Sequence, residues 1–428
     1  MIHVAYVNIW NTRVGAVVWD ENDRTGAFEY EPDFVRSGLD LAPLTMSINQ
    51  PGIFRFVEHR DNGTFKGLPG LLADVLPDTY GNALINQWLV HNHRPANSIN
   101  PVETLCFIGK RSMGALEFEP LIPTRKDDSV PLELSELIDV ASKILSGRKE
   151  FTTSLKQEKA LQDILKIGTS AGGARAKALV AFNEHTREIR SGQAHVADGF
   201  EHYIIKFDGI EDAQFGASKG YGRVEMAYYR MALDCGIQMM ESKLLEENGR
   251  AHFMTKRFDR PPGNEKVHIQ SFCAMRHYDF REINMYSYED LFETMRLLVL
   301  PYGQAEQMYR RMIFNVIARN CDDHTKNFAF AMNKSGEWSI SPAFDVCHAY
   351  RPASEWVSQH CLSIGGKRNN LTNSDLVNFA RKVNIKNAQD IIDEISRVVW
   401  NWREYSDEQD VDSELREAIY STLVDVRN

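Results

Sequence analysis

Short alternating runs of apolar and polar residues open the chain. The alternation recurs within residues 1–56, for example in Ala5–Trp10 and Gly15–Trp19, and turn-forming residues such as Glu21-Asn22-Asp23 separate the runs. Alternation of this kind is typical of half-buried strands. These residues are therefore predicted to form a small antiparallel sheet.

Helical spacing of apolar residues follows over Leu71–Val90. Pro77 is expected to interrupt this helix, because proline lacks the backbone N–H that a helix interior needs. Residues 121–133 contain two prolines and several charges and are the predicted linker, so we place a domain boundary near residue 120. A helical pattern resumes over Leu134–Leu165.

Beyond these helices the pattern changes to short apolar runs. The predicted elements are strands at Ile164–Ile167, Ala178–Phe182, His202–Phe207 and Ala251–Phe258, a helix at 221–235, and a strand–turn–strand at 326–342 within a mainly helical region that begins at residue 285. A mixture of antiparallel strands and separate helices predicts an α+β protein.

Composition and charge exclude several classes of protein. The chain of 428 residues is 43% hydrophobic and 25% charged, which is typical of a globular protein. No apolar run approaches the ~18 residues of a membrane span, and no signal-peptide pattern opens the chain, so we expect a cytoplasmic protein without membrane contact. A net charge of −10 disfavours direct binding of nucleic acid through a broad basic surface. Six scattered cysteines without a CxxC pair favour reduced thiols over zinc or disulfides.

A loop rich in small residues lies between the first two of these strands. It includes Thr169, Ser170, Ala171, Gly172 and Gly173. Small residues allow backbone N–H groups to converge on a phosphate, although the glycines do not fit the G-x-x-x-x-G-K-[ST] pattern. A phosphate-binding hairpin and a plain turn both remain open.

Asn320–Phe328 has the residue types and spacing of a protein kinase catalytic loop. Asp322 and Asn327 are five residues apart, as are the kinase Asp that faces the acceptor hydroxyl and the Asn that binds Mg²⁺. Asp345, beyond the predicted hairpin, supplies the second carboxylate that such a metal site needs. The alternative is a surface loop in which Asp322, Asp323 and Asn327 cap a turn.

A lysine and a glutamate precede this loop in the order found in kinases. Lys206 ends a predicted strand and is expected to contact the phosphates of ATP, paired with Glu225 on the next helix. Lys177 is the rival phosphate lysine. The structural alternatives are an amine that snorkels at a strand end and a glutamate on a solvated helix face.

The adenine site is less sharply defined by the pattern. The residues that follow Thr255 are Lys256, Arg257, Phe258, Asp259 and Arg260. A backbone hinge for adenine, with Phe258 near the base, and a polar strand exit are both open interpretations of this segment. His324 has no second histidine or cysteine at ligand spacing, which favours a polar contact within the loop over a metal ligand.

These motifs resemble the HipA family of bacterial serine/threonine kinase toxins over nearly the whole chain. The matching segments are Ser170–Lys177, Asp322–Phe328, Ser341–Asp345, Gly67–Asp78 and Gly114–Phe118. The resemblance implies a two-lobed, kinase-like α+β fold. Its implied parts are an N-terminal β-rich accessory domain at 1–120, a small-lobe part with the glycine loop and phosphate lysine at 134–260, and a helical C-terminal lobe with the catalytic loop at 261–428.

The resemblance also implies roles for individual residues. Ser170 is implied to be the autophosphorylation site, whose modification ejects the glycine loop. Asp322 is implied to be the catalytic base, and Asn327 and Asp345 the Mg²⁺ ligands. His324 and Lys206 are implied to contact ATP.

The partners implied are a small helix-turn-helix antitoxin similar to HipB, operator DNA bound through that antitoxin, and an aminoacyl-tRNA synthetase as protein substrate. Ala176 stands where many family members have proline, a small departure within the loop. Two other functions stay open: a pseudokinase that acts as a binding module or corepressor for the antitoxin, and a small-molecule kinase.

Overall fold

The structure is a computed structural model that describes residues 2–122, 132, 134–145, 175–192, 196–212, 216–217 and 220–426. The chain divides into two compact units, of which the first contains residues 1–222, 243–269 and 334–336 and the second contains 223–242, 270–333 and 337–428. Within the described ranges, no helix is both long enough and apolar enough to cross a membrane. The division at 1–120, 134–260 and 261–428 stays a prediction.

The first unit contains two main sheets and five helices among its described residues. Its strands are β1 (Val4–Ile9), β2 (Thr12–Asp20), β3 (Thr25–Tyr30), β4 (Leu116–Glu119), β5 (Lys177–Asn183), β6 (Ile189–Ser191), β7 (Phe200–Lys206), β8 (Glu211–Asp212), β9 (Gly216–Ala217), β10 (Ser242–Glu247) and β11 (Arg250–Lys256). Its helices are α1 (Pro32–Arg36), α2 (Gly70–Ala73), α3 (Thr79–His91), α4 (Pro101–Ile108) and α5 (Leu134–Leu145), with a 3₁₀ turn at Val57–His59.

The N-terminal sheet has the strand order β3-β2-β1-β4, and its strands pair antiparallel. Burial alternates along β1: Ala5 and Val7 are fully buried, whereas Val4 and Tyr6 are exposed. The predicted antiparallel sheet is thus confirmed over residues 4–30, because alternation puts one face of each strand in the core. Residues 31–56, which the prediction included, contain α1 and turns instead of a further strand. The predicted interruption of the helix at Pro77 is also confirmed, since α2 ends before it and α3 begins after Asp78, whose carboxylate caps the new helix.

The second sheet of this unit has the order β10-β11-β7-β5-β6. Its central strands are nearly continuous apolar runs, and their buried face packs against α5 and α3. The residues of this core include Tyr80, Leu84, Leu137, Ala141, Ala178, Val180, Phe182, Tyr203, Ile205 and Met254. Helix α3 and the second sheet therefore share one apolar core.

The strand predicted at Ala251–Phe258 ends earlier than expected, at Lys256. Arg257 donates two hydrogen bonds to the buried carboxylate of Asp259, and this local ion pair turns the chain away from the sheet. Phe258 consequently lies beyond the strand and is half-buried. The strand predicted at Ile164–Ile167 and the helical pattern after Leu145 lie outside the described residues.

The second unit is mainly helical, as predicted. Its elements are α6 (Tyr221–Asp234), β12 (His268–Ser271), α7 (Phe272–Arg276), α8 (Tyr288–Leu297), α9 (Tyr302–Ile317), a 3₁₀ turn (Thr325–Asn327), β13 (Ala329–Met332), β14 (Trp338–Ile340), α10 (Asn373–Lys382), α11 (Ala388–Val399), α12 (Trp402–Glu408) and α13 (Ser413–Tyr420). The predicted hairpin at 326–342 is confirmed by the antiparallel pair β13 and β14.

Aromatic residues form the centre of the second unit. The ring of Tyr228 on α6 makes edge contacts with Phe314 on α9 and with Trp402 on α12, and its hydroxyl donates to the carbonyl of Ala318. Three helices that are distant in sequence are thereby packed around one buried side chain, which anchors the loop that follows α9.

Candidate active site

The loop that follows α9 is held by short-range hydrogen bonds. His324 caps the 3₁₀ turn, because its Nδ1 accepts from the backbone N–H of Lys326, and the backbone N–H of Asn327 donates to the carbonyl of His324. The side-chain amide of Asn327 also donates to the backbone carbonyl of Asp322 at 2.7 Å. Asp322 and Asn327, which are five residues apart in the sequence, are therefore in direct contact.

Asp322 combines exposure with a fixed orientation. Its side chain is 38% exposed, and Oδ1 accepts a 2.6 Å hydrogen bond from the indole N–H of Trp356. The Nε2 atom of His324 lies 3.7 Å from the same oxygen. Within the described part of the chain, no hydrogen bond is donated to the second oxygen, Oδ2. One carboxylate oxygen is thus held while the other is left to accept a proton.

Asp323, the next residue, is only 1% exposed. Its carboxylate accepts hydrogen bonds from the hydroxyl of Tyr288 at 2.8 Å, from Nδ1 of His360 at 2.9 Å and from the backbone N–H of Cys361 at 2.7 Å. The alternative of a solvated loop is wrong for this residue, because three donors surround its buried carboxylate. The sequence pattern does not predict this arrangement, because His360 and Cys361 are far from Asp323 along the chain.

The protonation states of His360 and Tyr288 follow from their burial and from their contacts with Asp323. Burial by itself lowers the pKa of His360, but the negative charge of Asp323 and their hydrogen bond raise this pKa to about 10. Burial, reinforced by the same carboxylate, raises the pKa of Tyr288 well above its usual value, so the phenol stays a neutral donor. A charged, buried pair therefore lies directly beside Asp322.

The segment Ser341–Asp345 is anchored at its start. The guanidinium of Arg311, buried on α9, donates to the carbonyl of Ser341 at 2.7 Å, and the backbone N–H of Ala343 donates to the carbonyl of Gln238 at 2.8 Å. Burial lowers the pKa of Arg311 to about 10, which leaves it charged at neutral pH.

Asp345 has φ +52°, in the left-handed region that aspartate enters more readily than most residues. Four residues further on, Ala349 forms a parallel bridge with Asn320, at the start of the candidate catalytic loop. The segment that contains Asp345 and the candidate catalytic loop are therefore joined within one unit.

The oxygen donors of this unit suit a magnesium ion. The amide nitrogen of Asn327 is bonded to Asp322, and no described residue donates a hydrogen bond to its amide oxygen. An amide oxygen and the carboxylate of Asp345 are the hard ligands that Mg²⁺ takes together with substrate phosphates. No cluster of three or more His, Cys, Asp or Glu side chains suited to a metal occurs among the described residues, and a kinase-type site does not need one.

The two rival lysines of the first unit lie opposite each other. Lys177 on β5 and Lys206 on β7 are direct cross-strand partners, and the Nζ of Lys206 lies 5.8 Å from the ring centroid of Phe253. Both residues lie at the same end of two neighbouring inner strands, so the strand register does not favour either lysine as the phosphate ligand. Thr169, Ser170, Ala171, Gly172 and Gly173 lie outside the described residues.

The other predicted site residues of the described chain, Lys256, Phe258 and Glu225, differ in exposure and in their neighbours. The Nζ of Lys256 forms a 2.9 Å ion pair with Glu201 on the neighbouring strand. Phe258 is half-buried beyond the strand end. Glu225 is 6% exposed, so the alternative of a solvated helix face is wrong for it.

A buried charge cluster that the sequence did not predict follows Lys256. Asp259 accepts hydrogen bonds from the guanidinium groups of Arg257 and Arg260 and from the backbone N–H of Gly114. Although burial alone raises its pKa, the two arginines hold the pKa of Asp259 well below its usual value. This cluster ties the chain before β4 to the chain after β11.

Comparison with known families identifies the chain. Residues 169–402 match the model of the HipA-like C-terminal domain, and residues 5–119 match the model of the HipA N-terminal domain. Because the first match alone spans more than half of the chain, the protein belongs to the HipA family. No curated protein sequence matches the chain.

A solved HipA structure has a similar fold. HipA of Shewanella oneidensis MR-1, in its complex with HipB and operator DNA, is similar with a TM-score of 0.69 and 18% identity over 97% of this chain and 94% of that one. The predicted α+β, HipA-like fold is thus confirmed, and at this identity the likeness concerns the fold alone. The proinflammatory kinase CtkA of Helicobacter pylori covers 59% of this chain and 92% of its own at 13% identity. Its TM-score of 0.33 is too low to support an argument.

Proposed function

We propose that this chain is an ATP- and Mg²⁺-dependent serine/threonine protein kinase, the toxin of a HipA/HipB-like toxin–antitoxin pair. The observation that supports this most directly is the geometry of Asp322, whose Oδ2 accepts no hydrogen bond from the described residues while Oδ1 is held. A carboxylate in this state is suited to receive the proton of an acceptor hydroxyl.

Each residue of the loop has a distinct task in the proposed reaction. Asp322 takes the proton of a serine or threonine hydroxyl as its oxygen bonds to the γ-phosphorus and the bond to ADP breaks. Asn327 and Asp345 would hold Mg²⁺, which neutralises phosphate charge when bound. Lys206, with Lys177 as its rival, would pair with phosphate oxygens, and Lys256, Phe258 and His324 would border the nucleotide.

Ser170 is the proposed autophosphorylation site, within the Thr169–Gly173 loop that would cover the phosphates. The proposed partner is a small helix-turn-helix protein similar to HipB, with operator DNA bound through it. This follows the composition of the Shewanella complex and the net charge of −10, which disfavours direct DNA binding. An aminoacyl-tRNA synthetase in the cytoplasm is the proposed protein substrate.

The test is the intact mass of dephosphorylated protein after incubation with Mg²⁺-ATP. The wild type is expected to gain one phosphate on Ser170, and Asp322→Asn is expected to gain none because the amide cannot accept the proton. Asp393→Asn, which changes an exposed carboxylate on α11, is the matched control and should behave as the wild type.

The other outcomes separate the alternatives. A phosphate gained by Asp322→Asn as fast as by the wild type would reject Asp322 as the base. A wild type that gains no phosphate, yet melts at a higher temperature with Mg²⁺-ATP, would favour the pseudokinase or the small-molecule kinase. A wild type that shows neither effect would reject the nucleotide site.

A further inference from the structure

The segment that follows the candidate metal residue returns to the candidate base. Trp356 lies 34 residues after Asp322, and its indole N–H is the one donor that the described residues place within hydrogen-bond distance of the Asp322 carboxylate. A hydrogen bond of 2.6 Å to a carboxylate is short and strong. It restricts rotation of the carboxylate and so determines which oxygen is left for an acceptor.

The position of Trp356 is itself fixed from several sides. The hydroxyl of Ser354 accepts from the backbone N–H groups of Trp356 and Val357. The indole makes an edge contact with the imidazole of His324, at 5.8 Å between ring centroids, and with Phe280 at 6.0 Å. These contacts restrict rotation of the indole away from Asp322.

The end of the same segment is bonded to the buried carboxylate of Asp323. The imidazole of His360 and the backbone N–H of Cys361 both donate to it. Because Asp323 adjoins Asp322 in the chain, one ion pair fixes the distance between the segment and the base. The five residues from Trp356 to His360 are thus attached to the catalytic loop at both ends.

We propose that Trp356 is a positioning residue for phosphoryl transfer: its N–H holds Oδ1 of Asp322 so that Oδ2 faces the acceptor hydroxyl, and the pair Asp323–His360 holds the segment that contains it. This inference rests on the proposed function. The opposite possibility is an autoinhibitory contact, in which the indole blocks the carboxylate and its removal speeds transfer.

The experiment measures the first-order rate constant of autophosphorylation of the dephosphorylated full chain at saturating Mg²⁺-ATP. Trp356→Phe keeps a ring against His324 and Phe280 but lacks the N–H. Its rate constant is expected to fall about 10- to 100-fold, the effect of one hydrogen bond to a charged group. The ATP concentration for half-maximal rate should stay as in the wild type, a split between rate and nucleotide binding that a merely structural role would not produce.

Two further variants make the result decisive. Replacement of Trp356 by β-(3-benzothienyl)alanine keeps the shape of the indole and removes only the N–H, so it should show the same loss even if Trp356→Phe unfolds. Trp400→Phe is the matched control: the N–H of Trp400 has no hydrogen-bond partner among the described residues, and this variant should transfer phosphate at the wild-type rate.

Three results would overturn the inference. A benzothienyl variant with the wild-type rate constant would show that only ring shape matters. A faster variant would establish the autoinhibitory contact. A wild type that gains no phosphate would remove the proposed function and this inference with it, whereas the first two results leave the proposed function intact.

Discussion

Replacing Asp323 with asparagine removes the charge from the buried ion pair beside the candidate base. Three donors point at the two carboxylate oxygens: the Tyr288 hydroxyl, the His360 imidazole and the Cys361 backbone N–H. The asparagine side chain offers one oxygen and two N–H groups in the same space. At least one pair of donors must then face each other, and His360 loses its counter-charge.

The loss of stability that Asp323→Asn causes can be derived from the raised pKa of His360. A rise from 6.5 to about 10 corresponds to about 5 kcal/mol, at about 1.4 kcal/mol for each pKa unit. Removal of one partner from a buried pair typically costs about 3–5 kcal/mol, which agrees with this value. We therefore expect Asp323→Asn to lower the free energy of unfolding by about 3–5 kcal/mol at pH 6.

The loss of stability caused by Asp323→Asn is also expected to decrease as the pH rises. Because the pKa of His360 is raised in the folded state, its contribution to stability is complete below pH 6.5 and disappears as the pH rises to about 10. The difference between wild type and Asp323→Asn should therefore shrink as the pH rises from 6.5 toward 10.

Urea unfolding of both proteins at pH 6, 8 and 10 measures this difference, and comparing the two proteins cancels other titrating groups. Asp393→Asn, which changes an exposed carboxylate in the same unit, should match the wild type at each pH. A difference below about 1 kcal/mol at pH 6 would refute the reasoning, given the cost of breaking a buried pair. So would a difference that does not change with pH.

Two other substitutions test the packing of the first unit. Asp259→Asn leaves two buried arginines without their shared carboxylate and should lower stability by about 3–5 kcal/mol, measured by thermal or urea unfolding. Gly222→Ala adds a β-carbon that would overlap the carbonyl oxygen of Ala251, so an overpacking cost of about 1–3 kcal/mol should exceed the gain of about 1 kcal/mol from helix propensity. Gly303→Ala, with open space around it on α9, is the control and should be neutral or stabilising; equal effects at the two glycines would contradict the explanation.

Local patterns predicted much of the fold and part of the candidate site. The alternation before Tyr30, the helix break at Pro77 and the hairpin after Phe328 all depend on residues close together in the chain. The contact between Asn327 and the backbone of Asp322 belongs to the same class, because a five-residue spacing around a 3₁₀ turn leaves the amide little choice of partner.

Register and long-range packing produced the features that the sequence did not predict. The sequence offers Lys177 and Lys206 as alternatives, yet the pairing of β5 with β7 puts them opposite each other. One interpretation of the sequence makes Asp259 part of a polar strand exit, whereas the fold buries it between two arginines and Gly114. Neither result follows from the spacing of residues.

The hydrogen-bond donors around the candidate base, Asp322, show most clearly what the sequence alone does not predict. Asp322 could be recognised from its neighbours, but its donor Trp356 and the donor His360 of Asp323 lie 34 and 37 residues away in a segment without a repeating pattern. Their partners are selected by the path of the loop after Asp345, which depends on packing against Phe280 and on the burial of an ion pair. A hydrogen bond between distant residues leaves no periodic trace in the chain, because it arises only when the folded core has excluded water and brought donor and acceptor together.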